Sequence, residues 1–247
     1  MNLNTLMVYK RKTNGLKNFK NNCLKMNKIL KIGHRGAKGY VAENTLASFQ
    51  KALDLNCDGI ELDVHLSSDG KVMVIHDETI DRTTTRKGFV NNLTSSELNQ
   101  FGISTLEETL NLIDKKCFVN IEIKDNKATK LVLEIIKKYA LEKNWNESLF
   151  QISSFDWAIL EICHSENNTI SLGVLTQNSI EEAITFAKKI NSYSVNPYFK
   201  LLTAENVQLI HENGFKIYTW TVNQPEDITF VKSLNIDGII SDFPDLL

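Results

Sequence analysis

Short apolar runs alternate with amphipathic stretches from residue 29 to residue 247, and this alternation constrains the fold more than any other feature. Strict alternation of strands and helices indicates a parallel sheet. Eight such units in 247 residues favour a closed (β/α)8 barrel, or TIM barrel, which uses about 250 residues as one domain. The eight strand candidates cover residues 29–33, 59–65, 118–124, 149–153, 170–175, 192–196, 215–221 and 238–241.

One further apolar run, Val72–Ile75, interrupts the alternation after the second strand. It follows a Ser68-Asp69-Gly70 turn, which predicts that it pairs back onto the second strand as a hairpin. Residues 77–103 are polar and irregular and predict a loop excursion. The sequence therefore predicts a barrel that carries a short hairpin and loop insertion.

Several residues have the chemistry of helix ends. Asn44 is the expected N-cap of the first helix. Ser104 and Thr105 stand three residues before Glu107 and Glu108, respectively, which is the spacing of a capping box. Pro225 is expected at the first position of the last long helix.

The first 28 residues differ from the rest of the chain. Seven of the 28 Lys and Arg residues, and no acid, lie in the first 30 residues, so the remainder carries a net charge of -9. This leader has no apolar stretch of the kind that a secretory signal requires. We expect residues 1–28 to be disordered, and Met26 is an alternative start. The barrel domain is expected over residues 29–247.

Titratable side chains collect near the ends of the early strands, and in a barrel of this class the carboxyl ends of the strands carry the chemistry. They are His34, Arg35, Glu61, Asp63, His76, Asp77, Glu122 and Lys124. Buried carboxylates are costly unless they are paired or bind a metal. Such a collection therefore needs a chemical explanation.

Glu61 and Asp63 stand two residues apart on one strand, so both side chains point to the same face of the sheet. Glu122 and Lys124 repeat the pattern on the next barrel strand. Oxygen ligands without a thiolate suit one hard divalent cation, Mg²⁺ or Ca²⁺. The alternative is a buried network of salt bridges that involves the same residues and Arg35.

His34 and His76 lie at neighbouring strand ends, and a pair of histidines can divide the acid and base roles near neutral pH. Arg35 and Lys124 supply the positive charge that a phosphate oxygen needs. Together with the carboxylates, these groups indicate phosphoryl transfer to water. His65 is a candidate neighbour of the site. Trp220, near a late strand end, is either a substrate contact or a packing residue.

The ordered set of short motifs resembles the glycerophosphodiester phosphodiesterase family from about residue 29 to residue 247. The motifs are His34-Arg35-Gly36, Glu43-Asn44-Thr45, Glu61-x-Asp63, His76-Asp77, Glu122-x-Lys124, Thr219-Trp220-Thr221-Val222-Asn223 and Asp237-Gly238-Ile239-Ile240-Ser241-Asp242-Phe243-Pro244. Each motif is weak by itself, but their order and spacing are specific. The insertion after His76-Asp77 is short, which leaves less material to shape the pocket for the glycerol end.

The resemblance implies a TIM barrel that cleaves glycerophosphodiesters into an alcohol and sn-glycerol 3-phosphate with one divalent cation, Ca²⁺ or Mg²⁺. The implied metal ligands are Glu61, Asp63 and Glu122. The implied acid–base pair is His34 and His76, and the implied phosphate contacts are Arg35 and Lys124. Glu43 resembles a supporting residue of the same site.

Two other functions are compatible with the sequence. One is a lysophospholipase D or another phospholipase that acts on lipid phosphodiesters, although the polar loop after Asp77 argues against an interfacial enzyme. The other is a barrel that binds ligands without turnover. The head alcohol, the choice of cation and the oligomeric state are left open by these residues.

Composition limits the partners and the location. No apolar run reaches the ~18 residues of a membrane-spanning helix, so no stable membrane insertion is expected. A net charge of -2 gives no electrostatic reason to bind nucleic acid. The expected partner is a small-molecule glycerophosphodiester. The four cysteines are scattered, which favours small buried residues in a reducing compartment and hence the cytoplasm.

Overall fold

A computed structural model describes residues 28–247, in which eight parallel strands close into a barrel. The strands are β1 (Leu30–His34), β2 (Gly59–Leu66), β3 (Val72–Val74), β4 (Phe118–Ile123), β5 (Phe150–Ser154), β6 (Ser171–Thr176), β7 (Ser194–Pro197), β8 (Lys216–Thr219) and β9 (Gly238–Ser241). Strand β1 pairs in parallel with both β2 and β9, which closes the ring. Strand β3 lies antiparallel against β2, as the hairpin prediction requires. The predicted (β/α)8 barrel is therefore confirmed.

Helices connect the barrel strands and cover their outer faces. They are α1 (Leu46–Asp54), α2 (Ser95–Asn99), α3 (Leu106–Ile113), α4 (Thr129–Glu142), α5 (Trp157–Glu166), α6 (Ile180–Lys189), α7 (Ala204–Glu212) and α8 (Pro225–Ser233). Of the two candidate pairs, Thr105 and Glu108 form the capping box of α3, and Pro225 is the first residue of α8.

The cap of the first helix was predicted wrongly. Thr45 is the N-cap of α1, since its hydroxyl accepts a hydrogen bond from the backbone N–H of Ser48. Asn44 precedes it with φ 55°, in the left-handed region, and its side chain bonds to Asp63 instead. Asn44, although of a residue type that often caps helices, therefore hydrogen-bonds to β2 and does not cap α1.

Alternation along β2 separates the barrel interior from the layer beneath the helices. Ile60, Leu62 and Val64 are fully buried and belong to the main hydrophobic core. Glu61 and Asp63, which lie between them, are also buried but face the barrel interior. The strand therefore stabilises the fold with one face and supplies carboxylates with the other.

The insertion after β3 is more ordered than the predicted loop. Helix α2 begins with a capping box made by Thr94 and Glu97, and its Leu98 is fully buried. Residues of β3 and of the insertion together form a second small core: Met73, Ile75, Ile80, Val90, Leu98 and Ile103. A five-residue helix is too short to show a helical period in the sequence, which is why the prediction failed.

Two copies of an Asn-x-Asp-Gly-Ile segment lie at the amino ends of β2 and β9. The carboxylate of Asp58 accepts a 3.0 Å hydrogen bond from the backbone N–H of Lys31. The carboxylate of Asp237 likewise accepts a 3.0 Å hydrogen bond from the backbone N–H of Ile217. In each case the aspartate joins the start of its own strand to the neighbouring strand. These contacts lie at the end of the barrel opposite the carboxyl ends of the strands.

The predicted disordered leader, residues 1–28, lies outside the described residues apart from Lys28. None of the helices between residues 28 and 247 combines the length and the apolar composition that a bilayer crossing requires.

Candidate active site

The turn after β1 brings the backbone of Arg35 to the carboxylates of β2. Arg35 has φ 52° and donates its backbone N–H to Glu61 Oε2 at 2.9 Å. Gly36 follows with φ 84°, and a Cβ there would lie 2.4 Å from the hydroxyl of Ser48. The turn thus requires a glycine, because a side chain would collide with the start of α1.

Three buried carboxylates lie together at the carboxyl ends of β2 and β4. Each of Glu61, Asp63 and Glu122 offers an oxygen, and these oxygens all lie within 4.8 Å of one another. Asp63 and Glu122 are direct partners in the register of the two strands. The sequence prediction that these three residues converge is confirmed.

The charge balance of this carboxylate cluster fits a divalent cation. Burial, and then the nearby Asp63 and Glu122, raise the pKa of Glu61 well above its usual value. Burial and Asp63 likewise raise the pKa of Glu122. Burial is the largest cause of both shifts and the neighbouring carboxylates add to it, so a cation bound here would favour the ionised form of both carboxyls. Oxygen ligands alone suit a hard cation such as Mg²⁺ or Ca²⁺, so the residues present fit the predicted cofactor.

The salt-bridge network predicted as the alternative is also present, but it is incomplete. Lys124 Nζ bonds to Glu122 and lies 3.3 Å from Asp63 Oδ1, and Arg35 Nε lies 3.3 Å from Asp63 Oδ2. Among residues 28–247, Glu61 has no salt-bridge partner. Two cationic side chains therefore face three carboxylates, and one of the two, Arg35, is also bound to Glu43.

Each predicted catalytic histidine is oriented by an aspartate. His34 Nδ1 lies 2.6 Å from Asp242 Oδ1, and His76 Nδ1 lies 2.6 Å from Asp77 Oδ1. Because an ionised carboxylate only accepts hydrogen bonds, Nδ1 of each ring carries the proton and Nε2 is left for chemistry. The pKa values of both histidines are lowered, chiefly by burial.

His65 supports the second of these histidines, as its position on β2 predicted. His65 Nε2 lies 3.0 Å from the backbone carbonyl oxygen of His76. The side chain therefore holds the main chain at the end of the hairpin.

A cavity of about 110 Å³ opens between the histidines and the late strands. Its walls contain seven of the nine predicted site residues: His34, Arg35, Glu61, His76, Glu122, Lys124 and Trp220. The other two, Asp63 and Glu43, lie behind Arg35 and bind it. Phe155 completes an aromatic wall, with its ring centroid 5.2 Å from that of Trp220 and the two planes perpendicular.

Comparison with known families identifies the class of barrel. The family model described as "Glycerophosphoryl diester phosphodiesterase family" matches residues 34–246. The chain belongs to this family. It is an enzyme of the phosphoric diester hydrolase class that acts on glycerophosphodiesters, so the alternative of a barrel without turnover is not retained.

Three proteins of known sequence or structure match this chain over most of their length. A glycerophosphodiester phosphodiesterase from Caldanaerobacter subterraneus subsp. tengcongensis is 38% identical over 239 residues, which covers 89% of this chain and 96% of the relative. The crystal structure of a glycerophosphodiester phosphodiesterase from Thermotoga maritima is 32% identical with a TM-score of 0.78, covering 89% of this chain and 97% of that chain. An Oleispira antarctica phosphodiesterase in complex with the product sn-glycerol-3-phosphate has a TM-score of 0.79 at 24% identity, covering 87% and 93%.

Sequence reasoning missed several residues that contact the predicted site residues. Asp242 and Asp77 were recognised only as parts of motifs, although each binds a histidine. Asn44 was taken for a helix cap, and Arg82 and Phe155 received no role. The pairing of His76 with Asp77 could have been predicted because the two residues are adjacent in the sequence. The pairing of His34 with Asp242 could not, because 208 positions separate them.

Proposed function

We propose that this enzyme hydrolyses glycerophosphodiesters to an alcohol and sn-glycerol 3-phosphate, with one divalent cation held by Glu61, Asp63 and Glu122. The observation that carries the proposal is the convergence of the three carboxylates and two aspartate-bound histidines on one cavity. The Oleispira antarctica phosphodiesterase binds sn-glycerol-3-phosphate as its product, and this supports the same product here.

His34 and His76 divide the proton transfers. With Nδ1 bonded to an aspartate, the Nε2 of a neutral ring can accept a proton from the nucleophile, and the Nε2 of a protonated ring can give one to the leaving alkoxide. The two rings line the same cavity, so a phosphodiester between them is within reach of both. Either ring can serve as the acid in this arrangement, and either water or the glycerol 2-hydroxyl can serve as the nucleophile.

Arg35 and Lys124 hold the phosphate oxygens. Both side chains line the cavity, and nearby carboxylates raise the pKa of each against the opposing effect of burial, so both stay charged. A bound divalent cation supplies Lewis-acid polarisation of a phosphoryl oxygen. Trp220 contributes an apolar surface for the substrate, and its indole N–H is occupied by the carbonyl oxygen of Asn196 at 2.9 Å.

Metal dependence is tested by calorimetric titration of the chelated protein with Mg²⁺ and with Ca²⁺. We expect one site in the wild type and at least a tenfold weaker site in Glu61→Gln, because one of the three oxygen ligands loses its charge. Glu134→Gln, an exposed change on α4, is the matched control and should leave the affinity unchanged. Turnover that persists undiminished in EDTA would overturn the metal assignment.

A lysophospholipid is the second candidate substrate, and one observation favours it. Phe155 is 42% exposed beside the cavity, where an acyl chain would find an apolar ring. Competition between glycerophosphocholine and lysophosphatidylcholine, with choline release measured from each, separates the two candidates. A kcat/KM at least tenfold higher for glycerophosphocholine supports the small-molecule substrate, and the reverse order supports the lipid.

We propose that the enzyme works in the cytoplasm. Cys57, Cys117 and Cys163 are buried free thiols, as is usual for proteins of a reducing compartment.

A further inference from the structure

Arg82, in the insertion after β3, binds two carboxylates through one guanidinium group. Its Nη1 and Nη2 donate to Glu43 Oε2 at 2.9 Å and Glu43 Oε1 at 2.7 Å. Its Nε and Nη2 donate to Asp77 Oδ2 at 2.7 Å and Asp77 Oδ1 at 3.1 Å. Both contacts have the bidentate form in which a guanidinium fixes the plane of a carboxylate.

Each of these two carboxylates also binds a residue of the active-site cavity. Asp77 Oδ1 lies 2.6 Å from His76 Nδ1, and Glu43 Oε1 accepts a 2.7 Å hydrogen bond from Arg35 Nη1. Arg82 is therefore linked through these carboxylates to two residues of the cavity, His76 at the end of the hairpin and Arg35 in the turn after β1. Arg82 itself does not line the cavity.

Asp77 alone would not hold the His76 ring in one orientation. His76 and Asp77 are both partly exposed, so water competes for the free oxygens of Asp77. A side chain that can rotate into water does not hold a histidine ring in one orientation. The guanidinium occupies both oxygens of Asp77 and so restricts its rotation, and small losses of alignment at a reacting centre are costly in rate.

We propose that Arg82 is a positioning residue that aligns His76 for proton transfer and Arg35 for phosphate binding. This inference rests on the proposed function of those two residues. Removal of Arg82 should act on kcat through Asp77 and His76, and on phosphate affinity through Glu43 and Arg35. A residue that only fastened the insertion to the barrel would instead change the stability of the fold, independently of His76 and Glu43.

The first test is a double-mutant cycle on turnover of glycerophosphocholine. We expect Arg82→Gln to lower kcat by about 10- to 100-fold, and to lower it no further when His76→Ala is already present, because the group that it aligns is gone. Arg86→Gln is the matched control. Arg86 belongs to the same insertion and lies over the ring of Phe101 at 5.5 Å, so its removal should leave kcat unchanged.

The second test needs no turnover and measures the affinity of glycerol 3-phosphate by calorimetry. We expect Arg82→Gln to weaken binding about fivefold in the wild-type background and not at all in the Glu43→Gln background. Equal losses of kcat with and without His76, or equal losses of affinity with and without Glu43, would overturn the proposal. If the wild-type chain binds the product but releases none from a diester, the proposed hydrolysis fails while the affinity cycle still decides the role of Arg82.

Discussion

Asn44 donates its side-chain amide to Asp63 Oδ2 at 2.9 Å, from a backbone position with φ 55°. The left-handed conformation aims the side chain into the barrel and away from the helix that follows. Asp63 is one of the three clustered carboxylates, so a residue of the β1–α1 loop fixes the orientation of a proposed metal ligand on β2.

Removal of that amide should weaken metal binding. We expect Asn44→Gly to lower the affinity for Mg²⁺ or Ca²⁺ by about 10- to 100-fold, the usual effect of losing a partner behind a ligand. Glycine keeps the left-handed backbone, whereas alanine would add a strain of about 1 kcal/mol. Asn56→Gly is the matched control, because Asn56 also has φ 55° but lies at the other end of the barrel. Equal affinities of the wild type and Asn44→Gly would refute this role.

The pairing of His34 with Asp242 should appear in the pH dependence of turnover. Burial lowers the pKa of His34, the hydrogen bond to Asp242 raises it, and Arg35 lowers it. Asp242→Asn removes the carboxylate that raises the pKa of His34, so this pKa falls further. The limb of the kcat/KM profile that His34 controls should then move to lower pH. We also expect kcat to fall by about 100-fold, since the ring loses its orienting acceptor.

The control for this change is Asp245→Asn, three residues further along the chain. Asp245 accepts a hydrogen bond from Tyr40 at 2.9 Å, whereas the carboxylate that binds His34 is that of Asp242. We expect the Asp245→Asn profile to overlay that of the wild type. An Asp242→Asn profile whose limbs stay in place would contradict the pairing of His34 with Asp242.

Stability in acid should depend on Glu43. Burial opposes ionisation of Glu43, but hydrogen bonds from Arg82 and Arg35 lower its pKa to about 2. A carboxyl whose pKa is lower in the folded state stabilises the fold above its unfolded pKa of about 4.3, and this contribution is lost as the pH falls towards 2. Wild type should therefore be more stable than Glu43→Gln at pH 7, by about 1–3 kcal/mol once solvent screening of this half-buried carboxylate is allowed for. Urea titrations should show the difference shrinking below pH 4.3, and a difference that stays constant down to pH 2.5 would contradict it.

The repeated aspartates at the amino ends of β2 and β9 should matter for stability and not for chemistry. Asp237 accepts hydrogen bonds from the backbone N–H of Ile217, from Lys216 and from His211. We expect Asp237→Ala to lower the free energy of unfolding by about 1–3 kcal/mol, because a buried N–H loses its acceptor. Below the unfolding transition, kcat should stay at the wild-type value. A loss of kcat without a loss of stability would contradict this division.

Much of the fold followed from local patterns. Each predicted barrel strand ends within two residues of the observed end, because β-branched runs and caps such as Thr105 are local signals. The failures have a common cause. Asn44 has a side chain that suits a helix cap, but the competing partner Asp63 is 19 residues away. Helix α2 depends on the burial of Leu98 in a small core that no periodicity reveals.

Local patterns predicted some residues of the candidate site and missed others. The convergence of Glu61, Asp63 and Glu122 was predictable, since strand period and parallel register place them together. The partners behind them were not, because Asp242 reaches His34 only after the barrel closes between β9 and β1. Arg82 joins Glu43 to Asp77 across an insertion whose path the sequence left undefined.

Glycerol 3-phosphate release from glycerophosphocholine, in the presence of Mg²⁺ or Ca²⁺, tests the proposed hydrolysis most directly. We predict release by the wild type that EDTA abolishes, and a loss of at least 100-fold in both His34→Ala and His76→Ala, because each removes one of the two proton-transfer groups. Absence of release with either cation, or release that survives the loss of either histidine undiminished, would contradict metal-dependent hydrolysis by a histidine pair.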